Sequence, residues 1–320
     1  MEANDSFHLP KVSVVIASFN SESHSYLRRC LESIKKQDYE GEIEIVVADG
    51  GSTDCSVSTA VSFGATVVHN SQVTELGFNG GKNLGIKYST GDLIAIVDAD
   101  NILINSDYLS KMIMPLLEDN EISMTLPLPY VPSRSECTSV CFYFCRMERE
   151  IYESMAKSGV SKGSWAKVKP DNIVVSNGAI IKRSALESIG GWDYDTETGF
   201  RLIKNGFDSF GIVYSAERFH LEMLHLEDVW RKYKRRVNDQ IKNGDNKSVS
   251  QNAIDRYIEN PSSFIVAELL FPIRTVFRRH KKIYPTVLAV FFIKIFVGFY
   301  YIILSRKNLV NSQKNNFSVL

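Results

Sequence analysis

Short apolar runs and amphipathic segments alternate along the first hundred residues of the chain. The runs span residues 12–19, 43–48, 66–69 and 93–97. Each is too short for a helix and is followed by glycine or polar residues, which is typical of buried strands. Between the runs, apolar residues recur at helical spacing, as from Tyr26 to Ile34. This order predicts an α/β fold, with a parallel sheet and helices on both of its faces.

The second half of the chain continues this alternation less regularly. Strands are predicted at residues 122–126, 180–181 and 209–213, and helices at 112–117 and 136–156. Pro127, Pro129 and Pro132 break the chain after the first of these strands and predict a subdomain boundary. The polar segment 157–169, around Trp165, is interpreted either as a mobile lid or as a surface loop.

Asp98 and Asp100 follow the fourth apolar run with only Ala99 between them. Alternate residues of a strand share a face, so a strand continued through this segment would place both carboxylates on one side. Carboxylate oxygens at this spacing suit a hard divalent cation, Mg²⁺ or Mn²⁺. Asp49 follows the second run, and open α/β folds bind ligands at the carboxyl ends of parallel strands. The alternative is an Asp-rich turn without a ligand.

A glycine-rich segment, residues 77–81, precedes Lys82 and is predicted to be a flexible loop before a helix at 83–89. It matches neither the phosphate-loop pattern nor the dinucleotide-binding pattern. It does place a cation beside backbone N–H groups near a helix start. Lys82 is therefore interpreted as a neighbour of a phosphate group.

The composition describes a globular protein and argues against one class of partner. At 320 residues, with 44% hydrophobic residues, the chain has the length of about two domains. Its formal net charge is zero, so no nucleic-acid partner is predicted. Three of its five cysteines, Cys137, Cys141 and Cys145, recur at helical spacing. They predict a buried helix face rather than a zinc site, with reduced thiols in the cytosol.

Residues 285–304 are strongly apolar. They contain thirteen Val, Leu, Ile or Phe residues and a single charge, Lys294. The apolar residues favour membrane insertion by about 4–8 kcal/mol, against a cost of about 3 kcal/mol for the lysine. The stretch is also long enough to span a bilayer. It is therefore predicted to associate with a membrane, either as a spanning helix or as a helix at the membrane surface.

Taken in order, the motifs of residues 10–240 resemble the family 2 glycosyltransferases, which have the GT-A fold. The resemblance rests on the segments 12–20, 46–54, 81–85, 91–92, 98–100, 177–178, 190–192, 195 and 201–202. It implies a Rossmann-like, mixed and mainly parallel sheet flanked by helices in a domain at 1–240, with a nucleotide-sugar-binding half at 1–120 and an acceptor-binding half at 121–240. Residues 241–320 would then form a helical, membrane-associated extension.

The resemblance also implies a reaction and a set of site residues. A sugar would pass, with inversion, from a nucleotide-diphosphate sugar to an acceptor hydroxyl, in a reaction that depends on Mg²⁺ or Mn²⁺. Asp195 matches the family's catalytic base, with Asp193 and Glu197 as alternatives. Asp98 and Asp100 match the family's metal-binding DXD motif, in which Asp100 is the more direct ligand and Asp98 lies nearer the ribose and phosphates. His220, whose offset fits better than that of His225, matches the third metal ligand, with a surface or core histidine as the alternative. The other nucleotide-sugar-binding positions are Ala17, Phe19, Asn20, Asp49, Gly51, Lys82, Ala99 and Asn177.

Location and partners follow from this reaction. Nucleotide sugars are cytosolic, so the catalytic domain is expected to face the cytoplasm, tethered to a membrane surface or bilayer. The expected acceptor is a glycan or a lipid-linked molecule. Two alternatives stay open: a nucleotidyltransferase of similar fold, or a catalytically inactive relative that binds sugars. A nucleotidyltransferase would carry a glycine-rich loop after its first strand, and residues 12–20 contain no glycine.

Overall fold

The computed structural model describes residues 8–22, 24–69, 73–133, 135–137, 139–171, 173, 175, 177–193 and 195–221. Its strands are β1 (Val12–Ser18), β2 (Ile43–Asp49), β3 (Thr66–His69), β4 (Leu93–Ile96), β5 (Asn101–Leu103), β6 (Met124–Pro129), β7 (Val160–Ser161), β8 (Trp165–Val168), β9 (Ile180–Lys182) and β10 (Phe210–His220). Its helices are α1 (Tyr26–Lys35), α2 (Ser56–Ser62), α3 (Val73–Tyr88), α4 (Tyr108–Glu118), α5 (Ser139–Ser158), α6 (Arg183–Ser188) and α7 (Asp195–Lys204). One compact unit comprises Met1–Pro132 and Phe144–Leu221, and a second comprises Ser133–Tyr143 and Glu222–Leu320.

The strands of the described ranges all lie in the first unit and join into one sheet. Their order is β3-β2-β1-β4-β9-β6-β10-β8-β7, and β5 pairs with the end of β10. The strands β3, β2, β1 and β4 are parallel neighbours. β9 runs antiparallel between β4 and β6, and β10 is parallel to β6. The prediction of a mixed, mainly parallel sheet flanked by helices is therefore confirmed.

Two hydrophobic cores cover the two faces of this sheet. Successive residues of a strand alternate between them, as strand geometry requires. Val14 and Ala95 belong to one core, which α1 and α4 complete. Val15 and Ile94 belong to the other, which α3, α5, α6 and α7 complete. The apolar runs are thus continuous because both faces of these strands are buried.

The prediction of a flexible loop at residues 77–81 is wrong, because this segment lies inside helix α3. Each glycine costs a helix interior about 1 kcal/mol relative to alanine. Packing against the sheet outweighs that cost. A Cβ built on Gly85 would lie 2.4 Å from Val15 Cγ1, so the helix approaches β1 more closely than a larger residue would allow. Lys82 therefore lies in a helix interior, not near a helix start.

The prediction that Pro127 breaks the chain is wrong, because β6 continues through it and ends at Pro129. The first segment of the first compact unit ends at Pro132, the last of the three predicted prolines. Proline is tolerated in a strand only where its missing N–H leaves no ladder bond unmade. β9 pairs with β6 only at Met124 and Thr125. Among the described strands, none pairs with this edge of the later part of β6, and proline fits there.

The segment 157–169 is neither a lid nor a plain surface loop. It forms the hairpin of β7 and β8 next to β10. Trp165 is only 1% exposed, and its indole N–H donates to Glu118. Lys167 pairs with Asp119 and Glu121, which precede β6 at the amino edge of the sheet. A lysine of this hairpin is therefore held away from the carboxyl edge.

Several predictions concern residues outside the described ranges. His225, the end of the proposed 1–240 domain, the extension 241–320 and its apolar stretch 285–304 all lie there. Over the part of the chain that is described, no helix combines the length and apolarity needed to cross a membrane. The five cysteines all lie within it and form no disulfide. Cys141 and Cys145 are buried in α5, whereas Cys137 precedes the helix.

Candidate active site

Two acidic residues flank β1 at the carboxyl edge of the sheet. Asp49 is the last residue of β2 and pairs with Ser18. β4 ends at Ile96, which pairs with Val15, and Asp98 follows it by two residues at the same end of the sheet. These two acids therefore share the edge that the strand order predicted for them.

Asp49 is buried and offers one open acceptor. It is 2% exposed, and its Oδ2 accepts the backbone N–H groups of Gly51 and Ser52 at 2.9 and 3.0 Å. Its Oδ1 has no hydrogen-bond partner among the described residues. A buried carboxylate oxygen without a donor is costly, so this atom is suited to a ligand that brings an N–H group.

The ends of β1 and β2 are tied together by Asn20. Its side-chain oxygen accepts the backbone N–H of Thr53 at 2.8 Å, and its own N–H donates to Ser52 Oγ at 2.9 Å. Its φ is +49°, which asparagine tolerates better than most residues. Asn20 thus shapes the pocket beside Asp49, while the neighbouring Phe19 presents a ring that is 48% exposed.

Lys82 links the acids of the site. It reaches from α3 to the carboxyl edge, where its Nζ lies 3.1 Å from Asp98 Oδ1, and it is 6% exposed. Burial alone lowers the pKa of Lys82. The negative charges of Asp98, Asp195 and Asp100 outweigh this effect and raise the pKa above its usual value. Lys82 is therefore a buried ammonium group that pairs with Asp98 and also interacts electrostatically with Asp100 and Asp195.

Asp98 and Asp100 are placed by a turn rather than by a strand. β4 ends at Ile96, and Asp100 precedes β5, which crosses to β10. Their carboxylates consequently have different partners, Lys82 for Asp98 and His220 for Asp100. The prediction that the strand continues through both acids is wrong, whereas their action on the same Lys82 is consistent with a shared side. The thiol of the buried Cys30 donates to the Asp98 carbonyl at 3.7 Å and so helps to hold this turn.

Asp100 and His220 form a pair of potential metal ligands. Oδ2 of Asp100 lies 3.0 Å from Nε2 of His220, the last residue of β10. Two adjacent ligands of an octahedral Mg²⁺-type ion are about 3 Å apart, and such ions often bind one or two protein groups plus substrate phosphates. No group of three or more ligating side chains occurs in the described residues. The pair therefore fits an ion whose remaining ligands are water and phosphate oxygens.

Asn177 is placed beside the acidic turn by a tight backbone contact. Gly178 N–H donates to the Ile96 carbonyl at 2.7 Å, and Tyr108 donates its hydroxyl to the Gly178 carbonyl. Gly178 has a φ of +86°, and an added Cβ would lie 2.4 Å from the Tyr108 oxygen. Asn177 thus adjoins the end of β4, and its Oδ1 is buried without a hydrogen-bond partner in the described part.

Asp195 is the first residue of α7 and the most suitable of the three candidate bases. It acts electrostatically on Lys82, as described above. Asp193, by contrast, lies 3.7 Å from the guanidinium of Arg201. An acidic residue in the first turn of a helix is stabilised in its charged form by the helix dipole. The assignment of the base to Asp195 stays a prediction that this placement supports.

Two residues from the resemblance segments 81–85 and 190–192 had been given no role. Asn83 donates to the Trp192 carbonyl and accepts the Trp192 backbone N–H, both at 2.8 Å. Trp192 also carries Lys82 over its ring, at 5.0 Å from the centroid. Asn83 and Trp192 are 109 residues apart in sequence, so no local pattern signals this contact.

Comparison with known proteins identifies the family. The model described as "Glycosyl transferase family 2" matches residues 13–153. An N-acetylglucosaminyltransferase of Bradyrhizobium sp. (strain ANU 289) is 34% identical over 108 residues, which are 32% of this chain and 69% of that protein. The chain belongs to glycosyltransferase family 2.

Other family members are similar over part of their length. Glycosyltransferase GlyG of Streptococcus pneumoniae serotype 4 is 28% identical over 188 residues, or 56% of this chain and 58% of GlyG. The chain spans 15–58% of the length of this and three other curated relatives. Among solved structures, mannosyltransferase PcManGT from Pyrobaculum calidifontis superposes with a TM-score of 0.57 at 17% identity. The match covers 95% of this chain and 88% of PcManGT, and it supports the GT-A fold.

Proposed function

We propose that this family 2 protein transfers a sugar, with inversion, from a nucleotide-diphosphate sugar to an acceptor hydroxyl. The observation that carries the proposal is the buried Lys82, which pairs with Asp98 and whose charge interacts with those of Asp100 and Asp195. A protein that gathers three acids around one cation gains little stability from the arrangement. The grouping is instead suited to a reaction in which charge develops on a leaving phosphate and a proton leaves a hydroxyl.

Asp49 would recognise the nucleobase. Only Oδ1 remains open, because Oδ2 already accepts two backbone N–H groups. One open acceptor suits a base edge with a single N–H, such as the imide of uracil, better than guanine, which presents adjacent N–H and NH₂ donors. We therefore propose a uridine diphosphate sugar as donor, although PcManGT was solved with GDP-Man and Mn²⁺.

Asp100 and His220 would hold Mg²⁺ or Mn²⁺ together with the diphosphate of the donor. When bound, the ion supplies a positive charge that stabilises the leaving phosphate oxygen. Lys82 would place its ammonium group beside the same phosphate, and Asp98 would hold that ammonium in position. The sequence also predicts Asp98 as a metal ligand. Its carboxylate lies within hydrogen-bond distance of Lys82 Nζ, which supports the role of holding Lys82 in position.

Asp195 would accept the proton of the acceptor hydroxyl as that oxygen attacks the sugar carbon. The C–O bond to the acceptor forms while the bond to the leaving phosphate breaks, which inverts the sugar carbon in one step. No covalent link to the protein is needed, so a single carboxylate base suffices. Family membership favours this transfer over the nucleotidyltransferase alternative.

The acceptor and the location are proposed from the sequence. The apolar stretch 285–304 favours association with a membrane surface or bilayer. A transferase held there would meet a lipid-linked or cell-surface glycan acceptor from the cytoplasmic side, where nucleotide sugars are found.

A ligand panel tests the proposal directly. The full chain is incubated with UDP or GDP, each with and without Mn²⁺, and its thermal unfolding is followed, because a bound ligand raises the unfolding temperature. We expect UDP with Mn²⁺ to stabilise most. Release of UDP from UDP-N-acetylglucosamine then measures turnover. Stabilisation without turnover of any nucleotide sugar would instead support the alternative of an inactive sugar-binding relative.

A further inference from the structure

The backbone of Trp192 is held to helix α3 by a single side chain. Asn83 Oδ1 accepts the Trp192 N–H, and Asn83 Nδ2 donates to the Trp192 carbonyl, each at 2.8 Å. Both hydrogen-bonding groups of one peptide residue are thus bound by one planar amide. We call this contact the Asn83 clamp.

The rest of Trp192 does not provide an equivalent polar anchor. The indole is 3% exposed, and its Nε1 has no hydrogen-bond partner in the described part of the chain. Its ring instead packs beneath the Lys82 ammonium, 5.0 Å from the centroid. The Asn83 clamp therefore supplies the side-chain hydrogen bonds that join Trp192 to α3.

The backbone at Gly191 leaves room for the Asn83 amide. Gly191 has a φ of +98°, and a Cβ added there would lie 2.6 Å from Asn83 Oδ1. That distance is shorter than a nonbonded contact allows, so a side chain at Gly191 would displace the amide. Glycine is needed at this position both for its φ and for the clamp.

The clamp joins two parts of the proposed site. On one side, Asn83 follows Lys82, which contacts Asp98. On the other side, Trp192 leads within three residues to Asp195, the first residue of α7. Asp193, which directly follows Trp192, donates its backbone N–H to the hydroxyl of Thr198 in α7. The Asp195 carbonyl also accepts the Val175 N–H at 3.1 Å, so the start of α7 is held by this bond and, through Trp192, by the clamp.

We propose that Asn83 is a positioning residue for the transfer reaction. It holds Trp192 so that the Asp195 carboxylate stays aligned with the donor phosphates at Lys82 and Asp98. This inference rests on the proposed function, because it assumes that Asp195 is the base. Misplacement of a reacting group by about 1 Å can reduce a rate about 100-fold, so a clamp of this kind is expected to affect turnover more than binding.

The first test compares Asn83→Ala with the unmodified chain. UDP with Mn²⁺ is the binding probe, and release of UDP from UDP-N-acetylglucosamine is the turnover probe. We expect kcat to fall about 10- to 100-fold, while the Kd of UDP with Mn²⁺ changes by less than about threefold. An equal loss in both quantities would overturn the inference, since Asn83 would then act through the donor site.

Gly191→Ala perturbs the same clamp from the other side and leaves α3 unchanged. Its matched control is Gly206→Ala, because Gly206 has a φ of +86° and no atom within 4 Å of an added Cβ. The control reproduces the backbone strain without touching Asn83. We expect Gly191→Ala to lower kcat and Gly206→Ala to leave it unchanged. In the double variant Asn83→Ala with Gly191→Ala, the second substitution should cost less than it does alone.

Amide hydrogen exchange tests the clamp without any assay of activity. In Asn83→Ala, exchange at residues 190–193 should become faster, whereas the buried strands β1 and β4 should be unaffected. Unchanged exchange at 190–193 would overturn the inference, whatever the activity. If the unmodified chain neither binds UDP nor releases it from a donor, the proposed function fails, and the exchange result still decides whether the clamp exists.

Discussion

The two edges of the sheet use carboxylates in opposite ways. At the amino edge, Glu44 accepts hydrogen bonds from Ser13 Oγ and from the backbone and hydroxyl of Thr90, and it lies 3.9 Å from Lys11 Nζ. Each of its oxygens has a donor. At the carboxyl edge, Asp49 keeps Oδ1 without a partner in the described part of the chain.

The amounts of positive charge at the two edges differ as well. The amino-edge carboxylates Asp119 and Glu121 both contact Lys167, and Glu121 also lies 4.0 Å from Lys169. At the carboxyl edge, the charges of Asp98, Asp100 and Asp195 all act on one described lysine, Lys82. In natural proteins, polar groups with a purely structural role have hydrogen-bond partners, and exceptions are concentrated where a ligand binds. The comparison therefore separates structural from functional acids within one sheet.

The largest effect is expected from Asp195→Asn. This variant keeps the shape of the side chain but removes the proposed base. Turnover should fall about 10²- to 10⁴-fold, the usual contribution of a general base, while UDP with Mn²⁺ binds as before. Release of UDP from UDP-N-acetylglucosamine measures the first quantity and calorimetric titration the second. Full activity would show that the base lies elsewhere, with Asp193 and Glu197 tested next.

Removal of the metal should affect binding at the carboxyl edge only. A ligand at about 100 times its Kd stabilises a protein by about 2.7 kcal/mol. We expect EDTA to abolish most of this gain for UDP, and Asp100→Asn to abolish it even with Mn²⁺ present. Thermal unfolding with each combination of UDP and Mn²⁺ is the measurement. Stabilisation by UDP that persists at full strength in EDTA would contradict a metal-dependent donor site.

Lys82→Met should weaken donor binding and destabilise the fold. Its loss would leave Asp98, Asp100 and Asp195 to repel one another, at a cost of about 1–3 kcal/mol. The affinity for UDP with Mn²⁺ should fall about 10- to 100-fold, because a charged hydrogen bond to phosphate is lost. The matched control is Lys87→Met, at an exposed position of the same helix. Equal effects of the two substitutions would remove Lys82 from the site.

Much of the carboxyl edge could be predicted from the sequence because strand order places it. Continuous apolar runs marked the parallel strands β1 to β4, and parallel strands end at one edge. Asp49 and Asp98 could therefore be assigned to the same edge. The resemblance to family 2 then supplied roles for both acids and for Asp195.

The rest could not be predicted because it depends on contacts between distant residues. The glycines of residues 77–81 favoured a loop, but packing against Val15 stabilises α3 there. Because a loop was predicted, the burial of Lys82 in a helix interior could not be predicted either. The hairpin around Trp165 is held by its contact with Glu118, which no periodicity reveals. The Asn83 clamp likewise joins positions 109 residues apart.

The smallest effect is expected at the amino edge, from Glu44→Gln. Burial raises the pKa of Glu44, but the hydrogen bonds from Ser13 and Thr90 and the charge of Lys11 outweigh it and lower the pKa below its usual value. A carboxylate with a lowered pKa in the folded state stabilises the fold above its unfolded pKa, about 4.3. This contribution is lost as the pH falls through the lowered value.

Glu44→Gln should therefore reduce the free energy of unfolding by about 1 kcal/mol at pH 7, and by progressively less as the pH falls below about 4. Urea unfolding of both proteins across this range is the measurement. Turnover and UDP binding should stay unchanged, because Glu44 lies at the edge opposite to Asp98 and Asp49. A loss of turnover larger than the loss of stability explains would mean that the two edges are not separate in function, and the comparison between them would fail.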